Sequence, residues 1–343
     1  MASVTVIGGG IFGLACGWEL AQRGATVTVI KRGKIGAGSS GGHVGALAPH
    51  APENWNGKKQ FQLDSLIAAG DFFAAAEAAG GVPALFARTG RLQPLADLDA
   101  GAADRLAERI AASAARWPDG MAMRVTDHAP PGALMPVSAS GRWLIDGFSA
   151  RIAPRAALAS LAAAIGARGG RIETGREVPA DADLRGPVLW ATGAAGLAAL
   201  GHGPGVKGQS ALLAYPLPDN APQVFADGLH IVPHADGTTA IGSTSENTYD
   251  TVHPDHQAQD LLARAVAICP TLADAPVLDI WAGLRPRARS RAPVLAPWPG
   301  RPGHLIVNGG FKIGFGMAPL IADLTAQILL GDRRDIPDLF ALP

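Results

Sequence analysis

Apolar residues at the start of the chain form two short runs on either side of a helical stretch. Residues 4–7 (VTVI) are a β-branched apolar run, and they lead into the glycine turn GGGIFG. The next segment, LACGWELAQRG, has the spacing of a buried helix, and ATVTVI at 25–30 follows as a second buried strand. This order of strand, glycine turn, helix and strand predicts a βαβ unit.

The turn of this unit has the spacing GxGxxG, with glycine at positions 8, 10 and 13. In a chain with 44 glycines the motif alone is weak, but its place between a strand and a helix makes it specific. Gly8 allows the tight turn, Gly10 lets the backbone approach a pyrophosphate, and Gly13 lets helix and strand pack closely. The free N–H groups of the helix N-terminus then face the phosphates. The sequence therefore predicts a dinucleotide site.

The pattern changes several times along the rest of the chain. A glycine- and serine-rich stretch (34–49) is followed by alanine-rich helical patterns up to residue 117 and by short strands between 121 and 150. The segment PVLWATG predicts a buried strand, and residues 206–281 predict antiparallel strands with one helix. The last block (304–330) again has a strand, a glycine turn and a helix. We expect this block to return to the first domain.

Composition narrows the class of protein. Lys and Arg (29) balance Asp and Glu (29), so the net charge gives no indication of a nucleic-acid partner. Two cysteines cannot form a disulfide framework or a thiol-rich metal site, and Cys16 is expected to be a small buried thiol. The sequence has no signal-type segment and no apolar run of the roughly 18 residues that a membrane span needs. We expect a cytoplasmic protein without a membrane span and with no metal.

Four segments in order carry a resemblance to a known family. They are VTVIGGGIFGLACGWELAQRG at the N-terminus, ATG at 191–193, WAGLRP at 281–286 and the terminal GGFKIGFGMAP. GVKGQ at 205–209 and LHIVPH at 229–234 add to them. Together they resemble the D-amino-acid oxidase family of FAD-dependent oxidoreductases, and in particular its glycine oxidase and sarcosine oxidase branches.

The resemblance implies an α/β fold with a Rossmann-like FAD-binding domain of the GR2 type and an inserted antiparallel-sheet α+β substrate domain. The FAD-binding domain would be discontinuous (1–80, 145–204 and 282–343), and the substrate-binding domain would comprise 81–144 and 205–281. The implied activity is oxidation of the C–N bond of a small amino acid or N-methyl amino acid, by hydride transfer from the α-carbon to flavin N5. The resulting imine hydrolyses, and oxygen or another acceptor takes the electrons.

The resemblance also places the cofactor-binding residues. The first turn and the serine loop would hold the phosphates, the backbone of Val178 would meet the adenine, and the C-terminal loop would surround the flavin ring. The positions carried over are Gly8, Gly10, Ile11, Phe12, Gly13, Lys31, Arg32, Ser39, Ser40, His43, Val44, Gly45, Val178, Thr192, Gly193, Arg285, Gly310, Phe311, Lys312, Ile313 and Gly314.

The resemblance places four residues at the substrate, and each of them could also have an ordinary structural role. Arg285 matches the arginine that clamps the substrate carboxylate, and its alternative is a surface arginine. Lys312 would add a second carboxylate contact, would act electrostatically beside the flavin or would be a loop lysine. His43 would contact the substrate, attach FAD covalently or be a structural histidine. His230 stands where glycine oxidases have an active-site tyrosine, and its alternative is a strand histidine that points to solvent.

One position departs from the family. The second strand of such domains ends in an acidic residue that accepts hydrogen bonds from the ribose hydroxyls, whereas this chain has Lys31, which can only donate. Lys31, Arg32 and Lys34 form a basic cluster of the kind that favours a 2′-phosphate. Weaker FAD binding, a different cofactor and an altered residue at this position are the three explanations. An NADPH-dependent reductase is therefore one alternative function.

A flavin subunit of a multi-subunit amine dehydrogenase is a second alternative. The expected partners are a small-molecule amino acid or amine and an electron acceptor, and a homo-oligomer is possible.

Overall fold

The computed structural model describes residues 2–128, 130–203 and 205–342. The strands are β1 (Ser3–Ile7), β2 (Thr26–Lys31), β3 (Ala46–Leu47), β4 (Arg91–Pro94), β5 (Arg124–Thr126), β6 (Trp143–Asp146), β7 (Ala150–Arg151), β8 (Arg171–Thr174), β9 (Val188–Trp190), β10 (Val206–Ala214), β11 (Gln223–Ala226), β12 (Leu229–Pro233), β13 (Thr238–Gly242), β14 (Val277–Arg285), β15 (Val294–Pro297) and β16 (His304–Asn308). The helices are α1 (Ile11–Gln22), α2 (Gly57–Gly80), α3 (Ala100–Ala114), α4 (Pro154–Ala167), α5 (Gly193–Ala199), α6 (Gln257–Ile268) and α7 (Gly314–Leu330).

A six-stranded sheet contains both ends of the chain. Its order is β15-β16-β9-β1-β2-β8, and every neighbouring pair is parallel except β15 with β16. The strand from the last block of sequence, β16, pairs with β9 beside the N-terminal strand. The prediction that the C-terminal block returns to the first domain is therefore confirmed.

Helices α1, α2, α4 and α7 form a packed layer associated with this sheet. Helix α1 packs against α4 and α7, and α2 packs against the same two helices. Residues 11–21 of α1 are all buried, which explains its almost wholly apolar sequence. The predicted buried thiol of Cys16 is confirmed, and burial raises its pKa to about 12. Within the described ranges, none of the helices combines the length and the apolar character needed to cross a membrane.

An eight-stranded sheet accounts for most of the remaining strands. Its order is β14-β10-β13-β12-β11-β4-β6-β5, and all its pairs are antiparallel except β11 with β4. Helix α6 packs on this sheet through a second apolar core that includes Leu261, Ala265 and Ile268. The antiparallel region predicted for 206–281 is confirmed, as is the mixed α/β fold class.

The two sheets take their strands from alternating parts of the chain. The eight-stranded sheet uses strands between residues 91 and 146 and between 206 and 285, and the other sheet uses the segments around them. The predicted boundaries at 144/145 and 281/282 fall inside β6 and β14. The exact domain limits stay a prediction.

Candidate active site

A cavity of about 460 Å³ lies where the glycine turn of the parallel sheet meets the strands of the eight-stranded sheet. Ten of its lining residues are glycines, and in the described part of the chain none of them is an aspartate or a glutamate. The lining residues are Gly9, Gly10, Ile11, Phe12, Lys31, Gly38, Ser39, Ser40, Gly42, His43, Val44, Gly45, Ala46, Pro154, Ala191, Thr192, Gly193, Ser210, Phe225, Gly228, His230, Ser243, Trp281, Arg285, Pro286, Val307, Asn308, Gly310, Phe311, Lys312, Gly314, Phe315 and Gly316.

The three glycines of the first turn have different physical roles. Gly8 has a φ of +125°, and a Cβ there would lie 2.2 Å from the carbonyl oxygen of Ala191. A Cβ on Gly13 would lie 1.9 Å from the carbonyl oxygen of Gly8. At both positions the absence of a side chain therefore allows close backbone packing behind the cavity wall. Gly10 instead lines the cavity, and the nearest atom to its Cβ position is Ser40 Oγ at 3.1 Å.

The N-terminus of α1 opens into this cavity. Gly10, its N-cap residue, provides no side-chain cap, and the backbone N–H of Ile11 donates to Ser40 Oγ at 3.0 Å. The serine loop predicted to help hold the phosphates thus reaches the helix N-terminus. Both Ser39 and Ser40 line the cavity. Free N–H groups and the positive end of the helix dipole at this place suit a pyrophosphate.

Lys31, the last residue of β2, and Arg32, which follows it, are divided between cavity and surface. Lys31 lines the cavity beside Gly9, whose Cβ would lie 3.3 Å from Lys31 Cγ. Burial and the nearby charge of Arg32 lower the pKa of Lys31. Arg32 is exposed, lies outside the cavity wall and pairs with Glu177 at 3.3 Å. Val178 is also outside the wall and packs against the apolar cluster around Ile7.

Arg285 lies at the end of β14 and is only 8% exposed. Its Nη1 donates to the carbonyl oxygen of Thr244 at 2.9 Å. Gly208 on the adjacent β10 makes room for the guanidinium, because a Cβ there would lie 1.9 Å from Arg285 Nη2. Burial lowers the pKa of Arg285 to about 10 while Glu246 opposes the change, so the side chain is charged at neutral pH. The surface-arginine alternative is wrong.

A buried polar network supports the segment that holds Arg285. Glu246 accepts hydrogen bonds from Thr244 Oγ1 and, at 3.0 Å, from Gln209 Nε2. Lys207 Nζ pairs with Glu246 at 3.3 Å and with Asp255. Burial alone would lower the pKa of Lys207, but these two carboxylates raise it above its ordinary value. The network keeps the carbonyl of Thr244 in place under the guanidinium.

The C-terminal loop connects Arg285 to the N-terminus of α7. The N–H of Phe311 donates to the carbonyl oxygen of Pro286 at 3.0 Å, and Phe311 has a φ of +43°. Asn308 Nδ2 donates to the carbonyl oxygen of Gly193 at 2.9 Å, which ties this loop to the ATG turn. Lys312 lines the cavity, and burial together with the charge of Arg285 lowers its pKa.

His43 lines the cavity, and both of its ring nitrogens have partners. Its Nδ1 lies 3.1 Å from Ser210 Oγ, and its Nε2 lies 3.1 Å from Asp279 Oδ2. Asp279 also pairs with Arg155 at 3.0 Å. Burial lowers the pKa of His43 although Asp279 opposes this, so the neutral ring donates to Asp279 and accepts from Ser210. This arrangement favours the structural alternative for His43 over covalent attachment.

His230 on β12 also lines the cavity, next to the ring of Phe225 at 4.5 Å. Burial, with the charges of Arg91 and Lys312, lowers its pKa to about 3. The ring is therefore neutral at physiological pH. The alternative of a strand histidine that points to solvent is wrong.

Most of the predicted site residues lie in one wall. Gly8, Gly13, Arg32, Val178 and Ile313 are the predicted residues outside it. The prediction missed Trp281, Ser210, Phe225 and Asn308. Trp281 had a signal in the sequence, because positions 281, 283 and 285 of a strand share one face. A Cβ on Gly283 would lie 2.3 Å from the Trp281 ring, and this glycine makes room for the indole.

The residues present fit an extended flavin dinucleotide. The N-termini of α1 and α7 both reach the cavity wall, through Ile11 and Gly314. A helix N-terminus favours negative charge, which both a pyrophosphate and a reduced flavin carry. Ten glycines line the same wall, and Lys31 stands in it where the family has an acidic residue. The fold and this groove define a flavin-dependent oxidoreductase.

Comparison with known proteins gives the family. The family described as FAD dependent oxidoreductase (DAO) matches residues 3–328, and the chain belongs to it. The protein is an enzyme, and its cofactor is FAD. The predicted family and cofactor are therefore confirmed.

The relatives and the solved structures agree with this assignment. Glycine oxidase of Geobacillus kaustophilus is 26% identical over 367 residues, which cover 95% of this chain and 92% of that protein. The bifunctional protein ThiO/ThiG of Nostoc sp. is 25% identical over 354 residues, and the match covers 97% of this chain but only 53% of that relative. The crystal structure of the Geobacillus kaustophilus glycine oxidase superimposes with a TM-score of 0.84 at 22% identity, covering 100% and 99% of the two chains. This last likeness shows the fold.

Proposed function

We propose that the enzyme oxidises the C–N bond of a small amino acid or N-methyl amino acid whose carboxylate binds to Arg285. The observation that carries the proposal is a buried, charged guanidinium in the wall of a glycine-lined flavin cavity. A planar guanidinium holds a carboxylate through two parallel hydrogen bonds and so fixes the position of the α-carbon.

The surroundings of Arg285 support this role. One N–H of Arg285 donates to the carbonyl oxygen of Thr244. Gly208 has no side chain, so nothing at that position displaces the guanidinium. Glu246 stabilises the positive charge from behind without lining the cavity. The charge is thus positioned before substrate binds, which lowers the cost of binding.

Lys312 and His230 are the polar side chains that we assign to orienting the substrate. Lys312 provides a second positive charge for the carboxylate. His230 is a neutral imidazole, so it can accept a hydrogen bond from the amine without adding a charge beside it. His43 keeps Ser210 in place through a ring that is already fully hydrogen-bonded.

Since no acidic residue of the described chain lines the cavity, no protein carboxylate is placed to remove the α-hydrogen as a proton. When bound, FAD supplies the acceptor for the two electrons of the oxidation. The chain's own residues therefore act by positioning and by electrostatics. The imine product is hydrolysed by water after it leaves the site.

Two observations speak against the alternative of an NADPH-dependent reductase. The family is FAD-dependent, and Arg32, a member of the basic cluster, is exposed and bound to Glu177. We therefore propose that the cofactor is FAD and that Lys31 weakens its binding at the adenosine ribose.

The test replaces Arg285 by methionine, which keeps the length of the side chain and removes the charge. We expect the yellow flavin spectrum to be retained and kcat/KM for amino acids to fall at least about 100-fold, since one partner of a buried charge pair is lost. Arg289→Met is the matched control, because Arg289 is exposed on the same segment and lies outside the cavity. Full activity in Arg285→Met would contradict the proposed role.

A further inference from the structure

A second cavity of about 190 Å³ adjoins the active site. The two cavities share Ala46, Phe225, His230, Lys312 and Gly316 in their walls. The remaining lining residues of the second cavity are Leu47, Ala48, Pro49, His50, Gln62, Leu66, Arg91 and Ile313. A group attached to a substrate at Arg285 would find this cavity next to the Phe225–His230 pair.

Arg91 is the unusual member of this wall. It is 8% exposed, and in the described part of the chain its Nε is buried without a partner at good hydrogen-bond geometry. Within the described ranges, the one acidic side chain that it pairs with is Asp146, which faces it across the β4–β6 pair with Nε and Oδ2 3.4 Å apart. Asp146 is already engaged by the N–H and the hydroxyl of Ser149, at 2.7 Å and 3.1 Å. A buried guanidinium with unused donors needs an acceptor.

The other groups around the cavity favour an anion. The ring of Phe225 lies 5.7 Å from the Arg91 guanidinium and holds it from one side. Lys312 adds a second positive charge, and Nδ1 of His230 is buried without a hydrogen-bond partner. None of the residues that line this cavity, within the part of the chain that the structure describes, is acidic.

We propose that this cavity binds a second carboxylate of the substrate through Arg91, and that the preferred substrates are amino acids or N-substituted amino acids with two carboxylates. The inference rests on the proposed function: Arg285 holds the carboxylate next to the reacting carbon, and Arg91 holds the other. The small volume of the cavity suits a carboxylate. A carboxylate can also accept two parallel hydrogen bonds from the planar guanidinium of Arg91.

The test compares, on the holoenzyme, substrates that carry a second carboxylate with matched substrates in which that group is an amide or is absent. Both enantiomers of aspartate and glutamate are paired with asparagine and glutamine, and iminodiacetate is paired with N-methylglycine. We expect kcat/KM of at least one acid to exceed that of its partner about 10- to 100-fold, the value of a charge-assisted hydrogen-bond pair. Arg91→Gln should abolish this preference and leave the amides and N-methylglycine within about threefold of wild type.

Two further variants separate binding from folding. Arg91→Gln with Asp146→Asn removes both charges of the pair, so no buried carboxylate is left alone. Arg109→Gln is the control, because it removes one positive charge near Arg91 from a residue that pairs with Glu53 outside the cavity. Binding is also measured without turnover: succinate should raise the Tm of wild-type holoenzyme more than succinamate does, and should lose this advantage in the double variant.

The two proposals fail in different ways. If amino acids are oxidised and Arg285 is needed, but acids and amides react alike and succinate protects no better than succinamate, the second subsite is wrong and the proposed function stands. An equal loss for acids and amides in Arg91→Gln also overturns the subsite. If no amino acid of either kind reduces the flavin, the proposed function itself fails.

Discussion

The two ends of the active-site cavity are built in different ways. At the cofactor end, the wall is mostly backbone: Gly9, Gly10 and Gly193 line it, and the N-terminus of α1 supplies free N–H groups. At the end that we assign to the substrate, the wall carries two cations, the buried Arg285 and the more exposed Lys312, with further charges behind it. A wall made of backbone recognises a ligand by shape and dipoles, so an added side chain would block the approach of the ligand. Side-chain charges depend instead on position and protonation.

The largest effect should come from adding one methyl group at the cofactor end. Gly13→Ala would place a Cβ 1.9 Å from the carbonyl oxygen of Gly8, and backbone cannot move away cheaply. We expect a loss of more than about 3 kcal/mol in the free energy of unfolding or no folded protein at all. Urea unfolding followed by circular dichroism measures this loss.

Gly10→Ala is the matched variant. The N-cap residue has a φ of −94°, which alanine adopts freely, and its Cβ would lie 3.1 Å from Ser40 Oγ. Stability of the apoprotein should stay within about 1 kcal/mol of wild type, whereas FAD affinity should fall at least about tenfold because the backbone can no longer approach the pyrophosphate. Unchanged FAD affinity in this variant would show that the cofactor does not lie on this turn.

The same change at the substrate end should have a different result. Gly208→Ala would place a Cβ 1.9 Å from Arg285 Nη2, but the end of a flexible side chain can move. We expect a folded, yellow enzyme whose kcat/KM is reduced about 100-fold, since a displacement of about 1 Å is costly for a positioned group. Steady-state kinetics measure it, with Gly166→Ala, an exposed helical position with open space, as the control. A normal kcat/KM would mean that the position of the guanidinium is unimportant.

A smaller effect is expected from a substitution of Lys31. This lysine stands at the cofactor end, where the family has an acidic residue that accepts hydrogen bonds from the ribose. Lys31→Glu should tighten FAD binding about tenfold, because a carboxylate accepts hydrogen bonds from ribose hydroxyls. Arg32→Glu makes the same change of charge at an exposed neighbour and should have little effect. FAD titration of the apoprotein measures both. Equal or weaker binding in Lys31→Glu would contradict the position assigned to this residue.

The smallest effect is a pH dependence confined to the substrate end. Lys312 is protonated below its pKa, which burial and Arg285 lower from the ordinary value. As pH rises through that pKa, the positive charge is lost, and kcat/KM should fall a few-fold. Lys312→Arg should move this decline to higher pH. His230, with a pKa of about 3, should add no inflection between pH 5 and 9, and an inflection lost in His230→Gln would contradict its assignment.

The cofactor end could be predicted because its information is local. Gly8, Gly10 and Gly13 lie within six residues, and the strand and helix around them follow from hydrophobic spacing alone. The return of β16 to the first sheet was predicted for the same reason, since its block repeats the strand-turn-helix pattern. By contrast, the contacts of His43 with Ser210 and Asp279 join residues 167 and 236 positions apart, and no local pattern contains them.

Local sequence determined the βαβ unit and its dinucleotide turn, because glycine turns and apolar periodicity act over a few residues. The expectation of a flavin and of a substrate role for Arg285 came instead from the resemblance of four ordered segments to a known family. Only the tertiary structure decided that Arg285 is buried over Gly208, that His230 is neutral and that Arg91 lines a cavity with its Nε buried and unpartnered among the described residues. Burial and hydrogen-bond partners arise where distant strands meet, and these set the charge and the position of each side chain.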